Sequence, residues 1–283
     1  MNDNVTVQWF PGHMAKTRRI IKENLKLVDG VCEIVDARVP ESSRNPELDS
    51  LIERKPRIVL LNKADLADEN ATARKIKELK AKGVTALAVD CRSGRGLDKF
   101  PAAVREALGE KIKQNEQRGM AGKALRVMVV GIPNTGKSSF INRMAGKYRA
   151  KVADRPGVTT VSQWFAIGSG IELLDTPGVL WPKFEDPEVG FRLAFTGSVK
   201  DEILDTEEIA VRLIKVLRDG YPDRLTERYK IENFEQLEPY EILELIARKR
   251  GMLVSKGEAD TLRASVMLLD EYRGGKLGRI TLE

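Results

Sequence analysis

The chain has only two cysteines, one histidine and no long apolar run in its 283 residues. Two thiols, Cys32 and Cys91, are too few for a disulfide framework or a thiolate metal site. They read as reduced, buried residues of a cytoplasmic protein. No stretch approaches the roughly 20 apolar residues that span a bilayer, so no membrane partner is expected. The N-terminal residues lack the apolar core of a secretory signal. What is present is enough for a sizeable core: 42% hydrophobic and 32% charged residues argue against disorder as the default. The length suits one large domain or two ordinary ones. A net charge of +6 and a pI of about 9.2 permit a polyanionic partner without requiring one.

Organisation follows from periodicity. Residues 7–17, with Trp9-Phe10-Pro11-Gly12-His13, read as an irregular arm running into a helical pattern from Met14. That pattern puts Ile20, Ile21, Leu25 and Val28 on one face, and Gly30 closes it. Apolar runs at Val31–Val35 and Ile58–Leu61 read as strands. Ala71–Lys82 reads as a helix, Val84–Val89 as a strand and Leu97–Leu108 as a helix. This alternation predicts an α/β fold, a mostly parallel sheet with helices on both faces. Residues 38–46 are polar and contain proline, which predicts a surface loop. Residues 109–123 are polar and charged and read as a connector, or as an extension of the helix before them. A strand at Leu125–Val130, a helix at Lys137–Met144 and strands at Ser162–Ile167 and Ile171–Leu174 follow. From Pro187 onward only helical patterns occur: Val189–Phe195, Thr206–Leu217, Pro239–Arg250 and Glu258–Tyr272. The expected division is an α/β domain with an N-terminal arm over 1–182 and a smaller all-α domain over 183–283.

The chemistry is concentrated in Gly131-Ile132-Pro133-Asn134-Thr135-Gly136-Lys137-Ser138. The spacing G-x-x-x-x-G-K-S between a strand and a helix is a phosphate-binding loop. Its backbone N–H groups, from Asn134, Thr135 and Gly136 into the helix start at Lys137, Ser138 and Ser139, can wrap phosphate oxygens. Lys137 would neutralise the β- and γ-phosphates, a catalytic as well as a binding role, and Ser138 would offer its hydroxyl to Mg²⁺. Asp175-Thr176-Pro177-Gly178 follows a strand, where Asp175 can hold Mg²⁺ through water and the Gly178 N–H can meet the γ-phosphate. Asn62-Lys63-Ala64-Asp65 selects the base. A buried Asp65 carboxylate accepts from guanine N1–H and its 2-amino group, two donors that adenine lacks. Lys63 can brace the phosphate loop. Asp90-Cys91-Arg92-Ser93 fits a degenerate form of the fifth GTPase element, with the Cys91 N–H or a neighbour directed to guanine O6; a plain strand-end loop fits as well. Thr159 or Thr160 would close on Mg²⁺ as the first switch threonine, and the Pro-Gly-x-Thr spacing favours Thr159.

These motifs occur in the order 62–65, 90–93, 131–138, 159 and 175–178, a circular permutation of the usual GTPase order. The new ends fall just after 178, so the helical domain is tethered to the second switch. The expected ligands are GTP and GDP with Mg²⁺. Other readings stay open, namely a GTP-gated adaptor whose tail binds a protein, and a phosphotransferase, against which Asp65 and the switch elements argue. The basic run Arg248-Lys249-Arg250 could meet RNA phosphates or complement a helix C-terminus.

With permuted motifs, Trp9-Phe10-Pro11-Gly12-His13-Met14, Asp36-Ala37-Arg38-Val39-Pro40 and a helical tail, the chain resembles the YlqF/RbgA family over essentially its whole length. These are bacterial GTPases of large ribosomal subunit assembly. The resemblance implies a circularly permuted P-loop GTPase domain followed by the all-α domain. It implies GTP hydrolysis stimulated by the large (50S) subunit and its precursors, contact with 23S rRNA through the tail, and no DNA partner. The place of the water-positioning glutamine of Ras-like enzymes is taken by Val179, and the resemblance assigns that role to His13. In related potassium-activated GTPases an asparagine at the position of Asn134 helps bind K⁺, which the resemblance extends to this chain.

Overall fold

A computed structural model describes residues 19–52, 55–146, 163–176, 186–199 and 205–283, apart from the Glu47 side chain. Described residues up to 176 belong to one compact unit and residues 186–282 to a second.

The first unit runs α1 (19–25), β1 (Gly30–Asp36), α2 (Pro46–Ile52), β2 (Arg57–Asn62), α3 (Glu69–Ala81), β3 (Thr85–Ala88), α4 (Phe100–Ala107), α5 (Gly109–Gln117), β4 (Leu125–Val130), α6 (Lys137–Met144), β5 (Gln163–Ala166) and β6 (Ile171–Asp175). The strands form one six-stranded sheet in the order β3-β2-β1-β4-β6-β5. Every neighbouring pair is parallel except β5 with β6. A parallel strand covered on both faces is largely apolar, and β1 is buried at all seven positions, Glu33 and Asp36 included. Alternate side chains go to opposite layers. On one face Cys32, Ile34, Val127 and Val129 pack with Phe100 and Val104 of α4 and Phe140 and Ile141 of α6. The Phe100 and Phe140 rings meet edge to face, 5.0 Å apart, and burying each contributes about 1.5–3 kcal/mol. On the other face Val31, Met128 and Val130 meet Ile21 and Leu25 of α1 and Leu48 of α2. Val35, Val59 and Leu61 meet Leu79 of α3.

Two expectations need correction here. Residues 38–46 are not a surface loop: Arg38, Val39, Ser42, Ser43 and Asn45 are buried, because this segment supplies polar partners to the end of β1. Most of the polar connector is helix α5, separate from α4 at Leu108 (φ −102°, ψ 18°). Ile112 anchors it on the core. Helices α2 and, in the second unit, α9 (Pro222–Tyr229) were not legible, being short helices that each begin at a proline.

The second unit is helical: α7 (Pro187–Phe195), α8 (Thr206–Gly220), α9, α10 (Pro239–Lys249) and α11 (Thr261–Arg273). Asp205 caps α8 by accepting from the Glu207 and Glu208 N–H groups, and Glu238 with Glu241 form a capping box on α10. The apolar face of α8, Ile209, Leu213, Ile214 and Leu217, is fully buried and packs against the other four helices. Among the described residues no helix is long and apolar enough to cross a membrane.

Candidate functional site

The loops after β1, β2, β3, β4 and β6 all leave the sheet at its carboxyl edge, where open α/β sheets bind ligands. Strands from before the phosphate loop (β1–β3) and after it (β6) flank β4 in the same sheet. Segments distant and out of order in the chain therefore converge at one edge.

The loop from Gly131 joins β4 to α6. Its first helical bond runs from the Phe140 N–H to the Gly136 carbonyl. The first-turn N–H groups, at Lys137, Ser138 and Ser139, have no acceptor within the helix, as at any helix start. Gly136 has φ +97°, and a Cβ there would lie 2.1 Å from Asn62 Nδ2. Gly131 is constrained by space alone, since a Cβ would lie 2.7 Å from the Ile34 carbonyl. The Thr135 side chain is buried and donates to the Ile132 carbonyl at 2.9 Å.

Asn62 ends β2 and ties three segments together. Its Nδ2 donates to the Thr135 carbonyl at 2.6 Å, and its Oδ1 accepts from the Cys91 N–H at 2.9 Å. Of the two alternatives for guanine O6, the Cys91 N–H serves Asn62 instead, which leaves the N–H of a neighbour as the expected donor. Asp90 likewise organises its own loop, accepting from the Arg92 N–H at 2.8 Å. Its partial burial opposes ionisation, yet hydrogen bonds from Ser93 and the Arg92 N–H lower its pKa. The Arg143 guanidinium of α6 donates to the Ser93 carbonyl. The Asp65 carboxylate, expected as a buried acceptor, is exposed, so only a base placed over it could desolvate it.

Lys63 adopts φ 59°, an uncommon conformation for a residue with a side chain. Its ammonium donates to the Asn134 carbonyl at 2.8 Å and lies 2.8 Å from Asp36 Oδ2. Asp36 ends β1, fully buried, and the Arg38 guanidinium grips it through Nε at 2.9 Å and Nη2 at 2.7 Å. Burial alone would raise the Asp36 pKa, but the Arg38 and Lys63 charges hold it well below the carboxylate range. Burial pushes the Lys63 pKa down, opposed by Asp36. Asp36, Arg38 and Arg143 are parts of this network that motif spacing did not assign. The available signals were a carboxylate ending a largely apolar strand and the Asp36-Ala37-Arg38-Val39-Pro40 motif.

Lys137 is buried, with Nζ 2.9 Å from Asp175 Oδ1 and a further bond to the Thr176 carbonyl. Thr176 Oγ1 donates to the Val129 carbonyl at 2.7 Å, which fixes the end of β6 beside β4. A hydroxyl at Ser138, the start of α6, and one buried carboxylate at Asp175 suit a hard cation that takes its remaining oxygens from phosphate and water, as Mg²⁺ does. Asn134, the residue assigned to K⁺, sits in the loop with φ 61°. His13, Thr159, Thr160, Gly178 and Val179 lie outside the described residues.

In the second unit the basic run is partly committed. Arg250 stacks over the Tyr229 ring at 5.3 Å and donates to the Arg228 carbonyl at 3.2 Å. Arg248 donates to the Gly257 carbonyl at 3.1 Å. All three side chains of the run are solvent-exposed.

Comparison with known proteins agrees with this geometry. Residues 126–249 match a family described as 50S ribosome-binding GTPase. The chain is 47% identical to ribosome biogenesis GTPase A of Bacillus cereus, covering 99% of this chain and 94% of that protein. It is 46% identical to the protein of the same name from Priestia megaterium, covering 99% and 97%. Among solved structures, GNP-bound YlqF from T. maritima superposes with a TM-score of 0.66 at 30% identity, covering 95% of this chain and 97% of that one.

Proposed function

The chain belongs to the ribosome biogenesis GTPase A (YlqF/RbgA) family, circularly permuted GTPases that act in ribosome assembly, and from that premise we propose that it is a GTP-dependent assembly factor for the large subunit. In the GTP form it binds 50S precursors and their 23S rRNA, and it leaves after hydrolysis. The observation that carries the nucleotide part is Asn62, whose amide joins the phosphate loop to the 90–93 loop. This bridge supports the reading that Asp65 and Lys137 serve one ligand.

Each residue then has a task. Lys137 exchanges its Asp175 partner for β- and γ-phosphate oxygens and stabilises the charge that builds as water attacks the γ-phosphorus. Ser138, Thr159 and, through water, Asp175 would hold Mg²⁺, which would supply positive charge against the phosphates. Asp65 pairs with the guanine edge, and the Gly178 N–H meets the γ-phosphate. His13 orients the attacking water or accepts its proton, because Val179 can do neither. Asn134 would help hold K⁺, which would add positive charge to the site. Work on ribosomal particles and the reduced thiols support a cytoplasmic location.

A second reading is a GTP-gated adaptor whose tail binds protein. One observation favours it: Leu253, Val254, Leu262 and Val266 are each roughly half exposed, on a segment, 186–283, where acidic residues outnumber basic ones. An aliphatic surface suits a protein face better than RNA, which is usually met by cations and stacking aromatics. Co-sedimentation with purified large-subunit precursors in a non-hydrolysable GTP analogue separates the two. Association that is lost at high salt supports RNA contact. Association that survives salt and is lost in Leu262→Asp supports the adaptor.

A further inference from the structure

Asp36 and Arg38 touch no expected ligand, yet they are more completely buried than any charged group that does. A carboxylate in that position is costly unless it is paired and hydrogen-bonded. Here the pairing is asymmetric. Arg38 takes both oxygens through a two-pronged grip, and its own N–H adds a third bond to Oδ1 at 3.1 Å. The Asp36 N–H donates to Ser43 Oγ at 2.9 Å, which latches the buried 38–45 segment to the same point. Only one oxygen, Oδ2, then reaches Lys63. The Lys63 ammonium is thus suspended between a fixed anion and the Asn134 carbonyl. Both ends of that last bond are strained, because Lys63 and Asn134 each have φ near +60°.

We propose that Asp36, fixed by Arg38, is a positioning residue for the phosphate loop. It holds the Lys63 ammonium where that ammonium can bind the Asn134 carbonyl, so affinity for the phosphates depends on a carboxylate that never meets them. Base choice is left to Asp65. The inference rests on the reading of 62–65 and 131–138 as a guanine-nucleotide site and names what keeps that site assembled.

The test is a double-mutant cycle in nucleotide affinity on the full chain, using fluorescent GDP and a fluorescent non-hydrolysable GTP analogue, with folding of each variant checked by circular dichroism. Asp36→Asn and Lys63→Met are each expected to weaken both nucleotides about 10-fold, and the double variant to be no weaker than Lys63→Met alone. The preference for GTP over xanthosine triphosphate stays unchanged in all three. Additive losses, about 100-fold in the double variant, or wild-type affinity in Asp36→Asn, overturn the proposal. If Asp36→Asn does not fold, Arg38→Lys carries the test, because it keeps the carboxylate paired but removes the two-pronged grip. A loss of about 3-fold is expected, and no loss overturns the proposal. Asp65→Asn, run alongside, is expected to shift preference towards xanthosine triphosphate. If it does not while the cycle is non-additive, the base assignment falls and the brace stands. If it does while the cycle is additive, the brace falls and the base assignment stands.

Discussion

Cys91 sits where two demands meet. Its N–H supports Asn62, and its thiol is buried in the core beneath the site, in the same apolar cluster as Cys32. Burial, with the neighbouring Asp90 charge, pushes the Cys91 pKa up to about 12. Cys32 is raised as well, by burial and by its proximity to Cys91 and Glu33. The folded state therefore keeps a proton that the unfolded chain gives up near pH 8.5. Stability from this source is complete below about pH 8.5 and is lost as pH rises towards the folded value. At pH 10 the loss amounts to about 2 kcal/mol. Urea unfolding at pH 7.5 and pH 10 should show this fall in wild type and a smaller one, by about that amount, in Cys91→Ala; equal falls would mean the thiol stays protonated in both states. His13 poses the opposite problem, a side chain chosen by resemblance and by the inability of Val179 to orient water. His13→Ala is expected to leave GTP and GDP affinity within about 2-fold and to remove particle-stimulated turnover, a loss of the order of 100-fold or more. Stimulated single-turnover rates at wild-type level would take His13 out of the mechanism. The sequence named Asp65, Lys137 and Ser138 because spacing alone encodes them. It marked Arg38 only within Asp36-Ala37-Arg38-Val39-Pro40 and gave it no task, because a buried arginine in a polar, proline-containing stretch has no periodic signature and its task is recognised only when its carboxylate partner is seen.

At the level of elements, the site depends on backbone approaching side chain across the sheet edge. The phosphate loop lies against Asn62 so closely that Gly136 has no room for a Cβ. Gly136→Ala must move Asn62 Nδ2 off the Thr135 carbonyl and also place alanine at φ +97°. Losing the Asn62 bridge costs about 1 kcal/mol for each hydrogen bond and the backbone strain about as much again. GDP affinity measured by calorimetry should fall at least 10-fold, with the thermal midpoint lowered by a few degrees; wild-type affinity would show that the loop does not need this contact. The strands β1, β2, β4 and β6 were legible because a doubly covered parallel strand is a nearly continuous apolar run, broken here only by single residues such as Glu33, Arg126 and Glu172. The short helices α2 and α9 were not. Each offers little more than one apolar turn behind a proline, and tertiary packing, not propensity, makes them helical. For residues 109–123 the sequence offered a connector or an extension of the helix before them; most of the stretch is a separate helix, because Ile112 reaches the core and the polar remainder follows it.

On the scale of the whole molecule, the permutation has a thermodynamic consequence. In the unpermuted order the second switch continues into the GTPase domain. Here the chain leaves the 175–178 motif and enters the helical unit, so nucleotide state and tail share one stretch of backbone. The charge is divided between the two parts as well. With acidic residues in excess over 186–283 and a net charge of +6 overall, the positive excess lies before residue 186. Under the proposed function, RNA phosphates would be drawn chiefly to the part of the chain before residue 186. If the GTP form binds a large-subunit precursor more tightly than the GDP form by some factor, the particle must raise the preference of this chain for GTP over GDP by that same factor. A coupling of 1–3 kcal/mol, about 5- to 150-fold, is typical of such linkage. The two sides can be measured separately. One is particle affinity in a non-hydrolysable GTP analogue against GDP. The other is the affinity of each nucleotide with and without saturating particle. Equal factors are expected, falling together as salt is raised if phosphate contacts carry the association. A particle that binds both forms equally would leave the shared backbone with nothing to transmit, and the proposed GTP-dependent cycle would have no thermodynamic basis.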